Sequence, residues 1–154
     1  MHNVTGSLTR ATILGSYIYY LSPYDPHLAL DELERVYDEL QRVKLSSVWT
    51  IADFKRMKAD LLIATNALDE KKELIETLLV ESVEYSTNDE FYPCAIKCLT
   101  SMVTFCKLIG DKSKLEVYKT RLQVMYDKRS SYHTQRLPAF MRRARSILDV
   151  NECT

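Results

Sequence analysis

Apolar residues recur at steps of three or four along almost all of this 154-residue chain, and only three glycines and four prolines interrupt them. That recurrence matches the turn of an α-helix, whereas a half-buried strand alternates every second residue. No stretch shows sustained period-two alternation bounded by hairpin turns, so a sheet is not expected. Stripes of this kind must be buried helix against helix, which makes the chain all-α. With 46% hydrophobic and 27% charged residues the composition is that of a globular domain, and wholesale disorder is excluded. The length suits one domain, residues 1–154, with a sizeable core. No apolar run approaches the roughly 20 residues needed to span a bilayer.

The breaks divide the pattern into about seven helices. Leu8, Ala11, Leu14, Ile18 and Leu21 keep helical spacing, although the Tyr17-Ile18-Tyr19-Tyr20 run also suits a strand. Asp25-Pro26 then opens a second helix, with a carboxylate for free amides and a proline whose fixed φ fits a first turn. Its inward stripe is Leu30, Leu33, Val36/Tyr37, Leu40 and Val43. Thr50-Ile51-Ala52-Asp53 resembles a capping box and is expected to start the third helix, with a turn near residues 66–69. Leu74, Ile75, Leu78, Leu79 and Val83 form the buried stripe of the fourth. The fifth, with Pro93 in its first turn, is apolar on two sides and is expected to be the most buried; Gly110 ends it as a left-handed cap. Leu115, Tyr118, Leu122 and Met125/Tyr126 face inward on the sixth. A polar stretch over 128–135 then leads to a last helix opened by Pro138. The result is three antiparallel hairpins, at 7–45, 50–86 and 89–129, plus a C-terminal helix at 137–149. A repeat stack and a compact bundle both satisfy it.

The third hairpin carries a resemblance. Leu99, Met102 and Cys106 precede a Gly110-Asp111 turn, and Leu115, Tyr118 and Leu122 resume after it. This resembles a tetratricopeptide-type repeat, though Met102-Val103 stands where that family usually has Leu-Gly, and Leu115 where it packs a small alanine. The resemblance implies a right-handed stack of hairpins whose concave face holds a peptide or a partner helix. The family's basic clamp for C-terminal carboxylates has no matching residues in this chain.

Catalytic signatures are missing from the sequence: it holds no Gly-rich phosphate loop, Gly-x-Ser-x-Gly, His-Glu-x-x-His or Cys-x-x-Cys. His27 and His133 read as solvated polar residues, and catalysis is not expected. Cys94, Cys98 and Cys106 fall on one helix, but His2, His27 and His133 have no ligand spacing, so buried free thiols are expected in place of a metal site, and no cofactor. Free thiols and the absence of a signal-peptide pattern point to an intracellular protein, cytoplasmic or nuclear.

Two surfaces remain as candidates for binding. Tyr17, Tyr19, Tyr20 and Tyr24 crowd into eight positions, and one helix face cannot bury them all. Tyrosine anchors interfaces well because its ring buries area while its hydroxyl stays satisfied. The second surface is basic: Lys128, Arg129, Arg136, Arg142, Arg143 and Arg145. The formal net charge is +0, but residues 25–90 hold 16 acidic against 8 basic side chains, while 112–145 hold 10 basic against 2 acidic. These features lead to a non-catalytic interaction module, an adaptor or a subunit of a larger complex. It binds a protein partner with an acidic or amphipathic-helix segment, or a second copy of itself, through an aromatic groove and the basic end. The alternative is a nucleic-acid-associated protein that places the basic end on phosphates. The two basic clusters also have the spacing of a bipartite nuclear-import signal. Overall neutrality and a lack of stacking aromatics beside these cations favour the protein partner.

Overall fold

The computed structural model describes residues 4–42, 48–88 and 92–136. These form six helices and no strand: α1 Val4–Leu21, α2 Pro26–Arg42, α3 Val48–Ala64, α4 Leu68–Asn88, α5 Tyr92–Ile109 and α6 Lys112–Arg136. The ambiguous tyrosine-rich segment is therefore helical. None of these helices is long and apolar enough to cross a membrane.

Local chemistry closes each hairpin. Between α1 and α2, the Leu28 amide donates to Asp25 Oδ1 at 3.0 Å, and α2 begins at Pro26. Asp25 thus caps free amides where the proline supplies no donor. The other two hairpins turn on residues in the left-handed region, Asn66 at φ 60 and Gly110 at φ 72. At each, paired backbone bonds recover the last helical carbonyls: Ala67 to Leu62 and Asn66 to Ile63, then Asp111 to Cys106 and Gly110 to Lys107. Asp111 next caps α6 by accepting from the Lys114 amide at 3.0 Å.

Helices pack in chain order, each on the next, and α3 also meets α5. The core has two centres that share α3. Ile18, Ala29, Leu33, Val36, Phe54, Met57 and Leu61 join α1, α2 and α3. Leu62, Ile75, Leu79, Val83, Cys98, Leu99, Met102 and Phe105 join α3, α4 and α5, with Leu115, Tyr118, Leu122 and Met125 of α6 against them. Salt bridges between helices run from Lys58 to Glu34 at 3.1 Å, from Arg121 to Glu84 at 3.7 Å, and from Lys114 to Glu76. Part of the basic second half therefore meets the acidic middle within one molecule.

Several expectations are corrected. Six helices are found among the described residues where about seven were expected, and the helix expected at 137–149 lies outside those residues. They do not fit the tetratricopeptide-like stack, one of the two expected arrangements: lengths run from 17 to 25 residues, and α4 kinks at Lys71 (φ −121, ψ 22). Thr50 is not a cap, because α3 already begins at Val48. The stretch expected to be a polar linker continues α6 to Arg136, since no glycine or proline interrupts it before Pro138. Leu74 leaves its stripe and stands 43% exposed, one position off the Ile75–Leu79 face.

Candidate partner groove

The first helix of each hairpin contributes one wall of a shared cleft. Thr12, Ser16, Tyr19 and Tyr20 come from α1; Thr50, Asp53, Phe54, Arg56 and Met57 from α3; Lys97, Thr100 and Ser101 from α5. The space is about 630 Å³, within the range of natural ligand cavities. A smaller pocket of about 300 Å³ opens beside it, lined by Tyr19, Tyr20, Tyr24, Arg56, Met57 and Asp60.

Arg56 organises the floor. Its guanidinium is nearly buried and donates to Asp53 Oδ1 from Nη2 (2.8 Å) and Nε (3.1 Å), and to Asp60 Oδ2 from Nη1 (2.9 Å). Spacings of three and four residues on one helix bring these partners together. Ser101 of α5 donates to the same Asp60 Oδ2 at 2.9 Å, which ties α3 to α5. Burial opposes the charge on Arg56, but Asp53 and Asp60 outweigh it and hold its pKa above the ordinary value. Burial pushes the Asp60 carboxyl above the usual carboxylate range, against the opposing pull of Arg56 and Ser101. Its Oδ1 receives no donor from the described residues, and 38% of the side chain stays exposed. Thr50 Oγ1, on the same wall, is buried with no hydrogen-bond partner among the described residues. Two turns into a helix it would donate to the carbonyl four positions back, but at Thr50 that carbonyl precedes α3.

The structure gathers some of the expected contact residues and separates others. Tyr17, Tyr19, Tyr20 and Tyr24 are 51%, 62%, 72% and 88% exposed. The rings of Tyr19 and Tyr20 meet edge to face, 5.5 Å between centroids and 79° between planes. Tyr19, Tyr20 and Tyr24 border the pockets, whereas Tyr17 lines neither. Lys128 and Arg129 lie far along α6, outside the groove, with the Arg129 guanidinium 5.1 Å from the Tyr126 ring centroid. Arg136 is the last residue of α6; Arg142, Arg143 and Arg145 lie outside the described residues. Sequence reasoning missed Arg56, Asp53 and Asp60. The Asp-x-x-Arg-x-x-x-Asp spacing was their signal, a cation between two carboxylates on one helix face.

Cys94, Cys98 and Cys106 are buried and form no disulfide among the described residues. Hydrogen bonding to Cys98, then burial, pushes the Cys94 thiol up, and burial does the same to Cys106, so both stay protonated. No group of three potential metal ligands occurs among the described residues. Comparisons of the chain with protein-family models, with curated proteins and with solved structures find no match to any of them.

Proposed function

We propose that the chain is a non-catalytic interaction module, an adaptor or a subunit of a larger complex, whose partner lies in the groove walled by α1, α3 and α5. The observation that carries this reading is the placement of Tyr19 and Tyr20, exposed by 62% and 72% on the rim of a 630 Å³ cleft. Exposed aromatic side chains beside a polar, partly desolvated floor have the composition of an interface anchor. The polar groups of the floor support binding over catalysis. Arg56 already gives three of its N–H groups to two carboxylates, and among the described residues no histidine or cysteine lines the cleft. The basic residues Lys128 and Arg129 on α6, with Arg136, Arg142, Arg143 and Arg145 beyond, serve as a second contact that orients an acidic stretch of the partner.

Affinity capture with the full chain tests this reading. A protein should be retained by the wild type, survive nuclease treatment, and be lost with Tyr19→Ala/Tyr20→Ala. Capture that disappears with nuclease and with Lys128→Glu/Arg129→Glu, but ignores the tyrosines, would establish nucleic-acid binding and reject the groove. Light scattering identifies a second copy as the occupant if the assembly mass falls in the tyrosine variant.

A further inference from the structure

The smaller pocket has a chemistry of its own. Tyr19 and Tyr20 set their rings at 79° to each other, forming a corner, and Tyr24, the most exposed of the group, stands on the loop that closes the hairpin. Asp60 lines the same space. Its Oδ2 accepts from Arg56 and Ser101, and its Oδ1 receives no donor from the described residues.

The charge here is negative, even though an arginine is present. Arg56 is only 10% exposed at its side chain and lies between Asp53 and Asp60, which are 30% and 38% exposed. The group carries one cation against two carboxylates, and the carboxylates are partly exposed where the guanidinium is not. An anion entering the pocket would meet oxygens before it met the guanidinium, which is only 10% exposed and already gives three of its N–H groups to those carboxylates. A cation would meet a carboxylate oxygen that has no donor among the described residues, and the tyrosine rings that line the pocket, two features that favour positive charge.

We propose that this pocket receives the guanidinium of an arginine carried on a partner segment. It deepens the groove reading and rests on it. Arginine fits better than lysine because a planar guanidinium can lie against a tyrosine ring while its edge donates to Asp60 Oδ1. The volume, about 300 Å³, suits one anchoring side chain and its neighbours. The methylene stem of that side chain lies along the tyrosine rings, which the buried Ile18, Met57 and Leu61 back from within the core. The partner is then a segment that presents an arginine beside apolar residues.

The test uses the full chain, isotopically labelled, titrated with N-acetyl-arginine-methylamide and, separately, with the uncharged isostere N-acetyl-citrulline-methylamide. The arginine probe should give saturable shifts of amide signals over residues 18–24 and 57–61, and the citrulline probe should not. Tyr24→Ala removes a ring that is 88% exposed, so the fold is kept, and it should weaken the arginine probe about threefold. Asp60→Asn, checked for helix content by circular dichroism, should weaken it about tenfold. Equal binding of both probes, no saturable shift, shifts centred on the acidic faces of α2 and α4, or indifference to Tyr24→Ala would each overturn the proposal. No partner enters this titration, so its failure is separate from a failure of the tyrosine-dependent capture.

Discussion

Helices α1 and α5 are equally long, 18 residues each, and similarly apolar, yet the fold treats them in opposite ways. In α5, Cys98, Leu99, Met102, Phe105 and Cys106 are all at most 1% exposed, because α3, α4 and α6 pack around it. In α1, Ile18 is buried, while Ile13, Tyr17, Tyr19 and Tyr20 are all more than half exposed. Its chief neighbour is α2. Equal hydrophobicity thus gives a core in one place and an exposed apolar surface in the other, and the difference lies in how many of the described helices pack on each. An exposed aromatic patch of this kind is what an interaction site presents.

Substitutions sharpen the contrast by size of effect. Phe105→Ala should cost about 3–5 kcal/mol, because the ring is fully enclosed and the cavity left behind cannot collapse. Chemical denaturation reads this directly, and a loss below about 1 kcal/mol would show that α5 is not the packed centre. Arg56→Ala comes next, at about 1–3 kcal/mol. It removes the buried cation from two carboxylates that are themselves partly hydrated, which limits the cost below that of a fully buried pair. Thr50→Val should be neutral or stabilise by up to about 1 kcal/mol, since the hydroxyl it removes has no partner among the described residues. A clear destabilisation would mean that the hydroxyl is satisfied after all.

What could be read from the sequence follows from how local each determinant is. The turns at Asp25-Pro26 and Gly110-Asp111 were legible because a capping carboxylate, a fixed proline φ and a left-handed glycine act within a few residues. The buried stripe of α5, and that of α2 at Leu33 and Val36, were legible because periodicity survives packing; Leu40 and Val43 of the expected α2 stripe lie outside the residues whose side chains are described. Thr50 misled because capping chemistry is the same whether or not a helix has already begun two residues earlier. Leu74 misled because Ile75, its neighbour in sequence, was enough to fill the face. The continuation of α6 was hidden by polar composition, which says where a helix meets water and not where it stops. The tyrosines of the groove were named from crowding alone. The Asp53–Arg56–Asp60 floor was not, since a charged residue is read as surface until tertiary contacts enclose it.

The central claim is that the apolar face of α1 is held for a partner and contributes little to the fold. Its most direct test is to measure Tyr19→Ala/Tyr20→Ala for thermal stability and for capture of the bound protein in the same preparation. Stability should stay within about 0.5 kcal/mol per substitution of the wild type, and the captured protein should be lost. Unchanged capture, or a fall in stability of several kcal/mol, would contradict it.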